Sequence, residues 1–149
     1  MKKVILPIFI IVAIVSSVLL INTTYQKNRL QKNIDEMFTS SYYEVILNLL
    51  NMEIEGISED AMHMYQSKNT KHSYNLEQLF QHTSFVKNNN SDLKYIISVI
   101  AQSSGYNAVT KINMDKELYD YLHQVPTDYF NNDELLSKAK MALDKALID

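Results

Sequence analysis

The stretch that decides the fold is VILPIFIIVAIVSSVLLI, residues 4–21, which carries no charged side chain and is followed by Asn22. As an α-helix rising about 1.5 Å per residue, it covers roughly 27 Å, close to the hydrocarbon thickness of a bilayer. Lys2 and Lys3 precede it. These features predict a transmembrane signal anchor at residues 4–21 in contact with the lipid bilayer, and a short cytoplasmic tail at residues 1–3.

Two other interpretations of this stretch compete with an uncleaved anchor. A core helix that is apolar on every side needs a larger protein around it. A cleaved signal peptide has the same basic and apolar regions but ends at a site with small residues. Here the stretch ends in Leu19, Leu20 and Ile21, and the chain has no cysteine for lipoprotein processing. The sequence therefore favours an uncleaved anchor, with a cleaved signal peptide as the alternative.

The basic residues on the two sides of the stretch predict its orientation. Lys2 and Lys3 favour a cytoplasmic N-terminus, whereas Lys27, Arg29 and Lys32 follow the apolar residues and nearly balance the count. A short basic tail is typical of anchors with a cytoplasmic N-terminus. We therefore expect a single-pass protein of the cell membrane with an extracytoplasmic C-terminal domain.

Composition limits what the remaining residues can be. The 128 residues after the anchor suffice for one domain with a hydrophobic core. They carry 12 basic and 17 acidic side chains, a net charge of −5, which argues against nucleic acid as a partner and gives little attraction to anionic lipid. The absence of cysteine excludes disulfides and thiolate metal sites. Two glycines and two prolines are few for a sheet protein, so the predicted fold class is all-α.

Helical periodicity divides the chain into an anchor, a long helix and a bundle. Residues 22–56 are predicted to form a membrane-proximal helix, because apolar residues recur there on one face: Leu30, Ile34, Met37, Phe38, Val45, Leu49 and Met52. Nothing between Ile21 and Leu30 breaks a helix, so the anchor and this helix are expected to be continuous. Gly56 provides a C-terminal cap. Residues 57–149 are expected to pack on this helix, giving a bundle of about five to six helices.

Capping signals predict where the helices of the bundle begin. The predicted N-caps are Ser58, Asn75, Ser91 and Asn131. The helix after Ser58 is expected to fade around residues 66–70, and a separate helix starts at Asn75. Gly105 and Pro126 end two later helices. Residues 106–113 are compatible with either a helix or a packed loop.

The candidate metal ligands are Asp60 with His63 and Asp120 with His123. Each acid and histidine are three residues apart on one helix face, and two such pairs resemble the ligand pattern of dimetal carboxylate bundles. Imidazole with carboxylate suits iron, manganese or zinc. However, aspartate replaces the usual glutamate, and no bridging glutamate has an obvious inward position. Solvated surface pairs are favoured, so we expect no metal, no cofactor, no catalytic residues and no enzymatic activity.

Tyrosines and the long helix leave two further alternatives open. Six tyrosines are either core residues, which we favour, or the lining of a ligand cleft: Tyr42, Tyr43, Tyr65, Tyr119, Tyr121 and Tyr129. The apolar stripe of residues 29–52 is also a possible dimer seam, although Ser41 and Asn48 interrupt a heptad.

The sequence as a whole favours a membrane-anchored protein whose extracytoplasmic helical domain binds a protein partner or a second copy of itself. The alternative is an extracytoplasmic domain that senses a small ligand. A sensor with a cytoplasmic tail of three residues must signal through a membrane partner. A stabilising metabolite would distinguish the sensor from the docking domain.

Overall fold

The computed structural model describes the backbone of residues 2–88, 90–105, 108, 110–126 and 132–148. Within these ranges it describes the side chains from Val12 onward, except at positions 87 and 88. Five α-helices account for most of the described residues: α1 Lys2–Met52, α2 Glu59–Phe80, α3 Ser91–Gln102, α4 Lys116–Gln124 and α5 Asp133–Ala146. A 3-10 helix, Ser84–Asn88, joins α2 to α3. The predicted all-α bundle is therefore confirmed.

The chain divides into two compact units, Met1–Asn33 and Ile34–Asp149. We call them the N-terminal unit and the helical domain. The N-terminal unit consists of the first part of α1, and the remainder of the described structure belongs to the helical domain. As expected from the absence of helix breakers, α1 continues through Asn22 as one helix.

The core of the helical domain forms around α1. Phe38, Tyr42, Val45 and Ile46 are fully buried, and full burial of such a side chain contributes about 1.5–3 kcal/mol. The ring of Phe38 lies 5.6 Å from that of Phe80, centroid to centroid. The other helices supply the rest of the core, which includes Leu76, Leu93, Ile96, Ile97, Ile100, Leu118, Leu122, Leu136, Ala139 and Leu143.

The predicted inner face of α1 is partly wrong. Leu30 and Met37 were expected to face inward, but they are 61% and 58% exposed. The buried arc centres on Phe38, Val45 and Leu49, which were expected to face inward, and extends beyond them to Tyr42 and Ile46. The second half of α1 is apolar on two sides, and the side that the other helices cover decides which residues are buried.

The prediction of two helices between residues 58 and 80 is also wrong, because α2 is continuous. Ser58 is its N-cap, as predicted, and accepts a hydrogen bond from the Ala61 amide at 3.2 Å. Residues 59–80 contain neither glycine nor proline. Asn69, within the segment where the helix was expected to fade, and Ser73 are buried within the helical domain. Asn75 is therefore an interior residue of α2.

The later N-caps are asparagine and aspartate side chains. Asn90 caps α3 in place of the predicted Ser91, and its Oδ1 accepts from the amides of Asp92 and Leu93 at 2.9 and 3.1 Å. Asn132 caps α5 and accepts from the Leu135 amide. The predicted cap Asn131 lies outside the described residues. Asparagine tolerates the extended backbone of a cap and accepts two amides, which explains the shift from Ser91.

A short strand occupies part of the ambiguous segment 106–113. Strand β1, Lys111–Ile112, pairs antiparallel with β2, Leu147–Ile148, so that Lys111 lies opposite Ile148. The Asn113 amide also donates to the Ala146 carbonyl at 2.9 Å. Strands of two residues are too short to show a sequence period, so the pattern could not reveal them.

Both glycines occupy the left-handed region, Gly56 at φ +77° and Gly105 at φ +93°. Gly56 lies four residues after the end of α1 and Gly105 three residues after the end of α3, whose C-cap is Ser103, so neither glycine directly follows its helix as the predicted C-terminal caps would. A Cβ atom on Gly105 would collide with the Thr70 side chain and lie 3.1 Å from the Thr70 Cα, whereas one on Gly56 would meet open space.

Candidate functional site

The four candidate metal ligands lie on the surface of the helical domain. Asp60 and His63 are exposed near the start of α2, and Asp120 and His123 are exposed on α4. Across the described ranges, no group of three or more histidine, aspartate or glutamate side chains is placed to hold a metal ion.

His123 instead packs among tyrosines. Its ring centroid lies 4.7 Å from that of Tyr43 and 5.4 Å from that of Tyr119, with tilted planes in both pairs. Contacts of this kind contribute about 0.5–1.5 kcal/mol beyond buried area. The contact with Tyr119 could have been predicted from the sequence, because Tyr119 lies one turn before His123 on the same helix. The contact with Tyr43 could not have been predicted in this way, because Tyr43 belongs to α1.

The predicted core role of the tyrosines is clearest at Tyr42. Its side chain is fully buried, and its hydroxyl donates to the Leu122 carbonyl at 2.9 Å. Burial raises the pKa of the Tyr42 hydroxyl well above its ordinary value, and Tyr43 adds a smaller effect in the same direction. Tyr65 lies near Lys68, with 5.9 Å from Nζ to the ring centroid. Tyr129 lies outside the described residues.

A groove of about 430 Å³ runs beside α4 and α5, and we call it the α4–α5 groove. Its apolar part contains Leu118, which is buried, and Ala142 and Ala146, which are half-buried. Met141 is 54% exposed beside it. The full lining is Asn113, Asp115, Glu117, Leu118, Tyr121, Lys138, Met141, Ala142, Lys145 and Ala146.

Charge is divided across this groove. Asp115 and Glu117 come from the start of α4, whereas Lys138 and Lys145 come from α5. Two of these groups also serve the fold. Asp115 caps α4 by accepting from the Leu118 amide at 2.7 Å, and Lys138 donates to Glu134 at 2.7 Å. The lysine holds the pKa of the exposed Glu134 carboxyl below its ordinary value. An apolar strip with acidic and basic edges suits an amphipathic segment of another protein.

A second cavity of about 680 Å³ lies between α2, the 3-10 helix and α3, and we call it the α2–α3 cleft. Phe80 and Ile97 form its buried part. The other lining residues are Glu77, Gln78, Gln81, Val86, Lys94 and Ser98. Both cavities fall in the size range of small-molecule sites, about 300–1,000 Å³, and both are open to solvent.

A buried polar contact joins α1 to α2. The Asn48 Nδ2 atom donates to Asn69 Oδ1 at 2.9 Å, and both side chains are buried. Within the described structure, Asn69 Nδ2 and His72 Nδ1 are buried without a hydrogen-bond partner. Sequence reasoning treated Asn48 only as an interruption of a heptad.

In the N-terminal unit, apolar side chains are exposed in all directions around α1. The exposed fraction lies between 52% and 69% for seven of them: Val12, Ile14, Val15, Val18, Leu19, Leu20 and Ile21. The hydroxyls of Ser17, Thr23 and Thr24 donate to carbonyls one turn earlier, at 2.8, 2.8 and 2.9 Å. These hydroxyls therefore need no bond to solvent.

No helix in the described part of the chain combines the length and apolar character needed to cross a membrane. For the predicted anchor, residues 4–21, the structure describes the backbone throughout and the side chains from Val12 onward.

The two units also differ in net charge. The N-terminal unit holds five basic side chains and no acidic one. The helical domain holds the other nine basic side chains and all 17 acidic ones, a net charge of −8.

Comparison with known proteins identifies no relative of this chain. No family model, curated protein or solved structure matches it. Its function must therefore be inferred from the burial, charge and grooves of the chain itself.

Proposed function

We propose that this chain is a single-pass membrane protein whose helical domain lies outside the cytoplasm and docks onto another protein. The observation that carries the proposal is the all-round exposure of apolar side chains from Val12 to Ile21. A contiguous apolar surface of this kind marks contact with a membrane or a protein. These residues belong to a longer stretch, residues 4–26, in which no side chain is charged.

The hydroxyl groups in this stretch support a lipid environment. In hydrocarbon, polar groups must be satisfied within the protein because water is absent. Ser17, Thr23 and Thr24 meet that requirement by donating to carbonyls of α1. Lys2 and Lys3 support a cytoplasmic N-terminus.

The α4–α5 groove is the proposed docking site of the helical domain. Its apolar strip supplies contact area, and methionine at position 141 adapts to different partner surfaces. Its acidic and basic edges would orient a partner segment. Confinement to the membrane raises the effective concentration toward partners in the same membrane. The proposed role is binding rather than catalysis.

The second candidate function is sensing of a small ligand, and the α2–α3 cleft favours it. The cleft combines a buried apolar part, Phe80 and Ile97, with the amides of Gln78 and Gln81. Because the proposed cytoplasmic tail has only three residues, a sensor would act through a membrane partner. A metabolite library screened by thermal shift tests this function. A ligand whose stabilisation is lost in Gln81→Ala and retained in Met141→Ala would favour sensing over docking.

The membrane anchor is tested by fractionation of the full chain carrying a C-terminal epitope tag. The wild type should stay in the membrane pellet after alkaline carbonate extraction, and protease added to intact cells should remove the tag. The variant Val12→Lys/Val15→Lys should be extracted, because a lysine near the centre of a membrane helix costs about 2.5–3.5 kcal/mol. Extraction of the wild type, or a mature chain in the medium that begins beyond Ile21, would overturn the anchor.

Docking is tested by site-specific photo-crosslinking in native membranes. A photoreactive residue at Met141 should give a discrete adduct, whereas one at Tyr74 should not. Tyr74 is the matched control because it is 67% exposed on α2 and lies outside the groove lining. A second copy of the chain in the adduct identifies the partner as a homo-oligomer. Absence of any adduct from Met141 contradicts docking at this groove.

A further inference from the structure

We propose that two copies of this chain associate side by side through α1, and that Asn22 of one copy hydrogen-bonds to Asn22 of the other. We call Val15, Val18, Asn22 and Tyr25 the α1 seam. This inference rests on the membrane anchor of the proposed function. It adds an interaction surface separate from the α4–α5 groove, and the occupant of that surface is a second copy of the chain.

A shallow depression of about 330 Å³ lies on the exposed surface of α1 in the N-terminal unit. Four residues line it: Val18, Ile21, Asn22 and Tyr25. Their spacing is i, i+3, i+4 and i+7, which is the arrangement of the four residues that form a hole in knobs-into-holes packing. The depression therefore has the form of a site for one side chain of a facing helix.

The heptad repeat identifies the side chain that fills this hole. With Val15 at position a, the lining residues Val18, Ile21, Asn22 and Tyr25 fall at positions d, g, a and d. In a parallel pair of helices in register, a hole of this composition receives the position-a residue of the facing helix. In a second copy of the chain, that residue is Asn22. The hole and the knob are thus the same part of α1, as a twofold-symmetric interface requires.

The seam residues share one side of α1. At 100° per residue, Val15, Val18, Asn22 and Tyr25 lie within an arc of about 80°. Two copies anchored in one membrane enter it in the same orientation, so their α1 helices run parallel, as this register demands. The sequence continues the same heptad positions toward the N-terminus with isoleucine at residues 8 and 11.

The Asn22 amide is the polar group that a second copy would satisfy. In the described part of the chain, Asn22 is exposed and its side chain makes no hydrogen bond, whereas the hydroxyls of Thr23 and Thr24 donate to carbonyls of α1. A carboxamide both donates and accepts, so two facing Asn22 side chains satisfy each other. Asparagine forms such bonds between membrane helices, and at position a it also fixes the register of a coiled coil.

Charge sets the outer end of the seam. The next position a after Asn22 is Arg29. Two arginines that face each other across a helix pair repel, so the seam ends at Tyr25. A dimer joined in this way carries two α4–α5 grooves, so a partner with two matching segments would be bound bivalently.

Disulfide crosslinking in native membranes tests the seam. The chain contains no cysteine, so each variant introduces a single thiol. After mild oxidation, Val18→Cys and Tyr25→Cys should give a disulfide-linked dimer on a non-reducing gel. The matched control is Leu20→Cys, because Leu20 is exposed like Val18 but lies about 160° away around α1. It should give at least about fivefold less dimer, because its side chain points away from the second copy.

The Asn22 pair is tested in the Val18→Cys variant. Adding Asn22→Leu, which has a similar size, should lower the dimer about three- to tenfold. Adding Thr24→Val should leave it unchanged, because the Thr24 hydroxyl is bonded within α1. An unchanged dimer in Asn22→Leu would overturn the Asn22 pair.

Two further outcomes separate the seam from the anchor. If Leu20→Cys and Val18→Cys form dimer equally, or if neither forms it in a chain that stays in the membrane pellet, the seam is overturned and the anchor stands. If the chain is extracted from the pellet, the anchor fails and the seam fails with it.

Discussion

The N-terminal unit and the helical domain follow opposite rules of side-chain placement. In the helical domain, Phe38, Tyr42 and Ile46 are fully buried, and the surface carries an excess of acid. In the N-terminal unit, Leu20 and Ile21 are both 69% exposed, and every charged side chain is basic. One continuous helix, α1, contributes to both. Helix formation alone therefore does not determine what a segment contacts; the neighbours of each side chain do.

The largest expected effect on stability comes from the core of the helical domain. Phe38→Ala should lower the free energy of unfolding of the helical domain by about 3–5 kcal/mol, because it removes a buried ring packed against Phe80. Leu20→Ala should change it by less than about 0.5 kcal/mol, because Leu20 is exposed. Urea denaturation of the detergent-solubilised chain measures both. Equal losses would contradict the division into two units.

The two glycines give the next effect. Gly105→Ala should destabilise the domain by about 2–4 kcal/mol, because the new methyl group would collide with Thr70 in addition to the strain of a positive φ. Gly56→Ala meets open space and should cost only about 1–2 kcal/mol of backbone strain. Thermal unfolding of the two variants under identical conditions checks the order. A smaller loss at Gly105 would show that its approach to Thr70 is not retained in solution.

The buried pair Asn48 and Asn69 tests how much a polar contact contributes to the stability of the helical domain. Asn48→Leu should cost about 1–3 kcal/mol, because it leaves the Asn69 side chain buried without its donor. The double variant Asn48→Leu/Asn69→Leu should be more stable than this single variant, because it removes both polar partners. A double-mutant cycle in urea measures the coupling. An additive result would argue against the contact.

The smallest effect is a loss of stability in alkali. Hydrogen bonding to Asp144 raises the pKa of Tyr95 above its ordinary value of 10.0, and burial raises that of Tyr42. Since both pKa values are higher in the folded state, the protonated forms stabilise the fold. This contribution is complete below pH 10 and declines as the pH rises through the folded-state values. Tyr95→Phe should flatten the decline slightly, as followed by the melting temperature between neutral and alkaline buffers. An unchanged decline would mean that the exposed Tyr95–Asp144 bond contributes nothing measurable.

Local signals predicted much of the fold. The continuity of α1 and the Ser58 cap each depend on a few neighbouring residues, and both are observed. Errors arose where tertiary packing decided the outcome. Burial of Asn69 keeps a polar stretch helical within α2, and packing turned the buried arc of α1 away from Met37.

The candidate sites were less predictable than the fold. The Asp-x-x-His spacing correctly placed each pair on one helix, but spacing cannot show that His123 contacts Tyr43 on α1. The α4–α5 groove is formed by residues from two helices whose packing no local pattern encodes. The apolar stretch of residues 4–21 could be recognised from the sequence, because its apolar nature depends on composition and not on the packing of other helices.

The pairing of β1 with β2 has a consequence for the α4–α5 groove. This short clasp, with the bond from the Asn113 amide to the Ala146 carbonyl, joins the chain just before α4 to the chain just after α5. Separating the two walls of the groove would therefore strain or break main-chain hydrogen bonds. In the proposed docking, a partner segment would therefore meet a preformed groove, and the entropic cost of ordering would fall mainly on that segment.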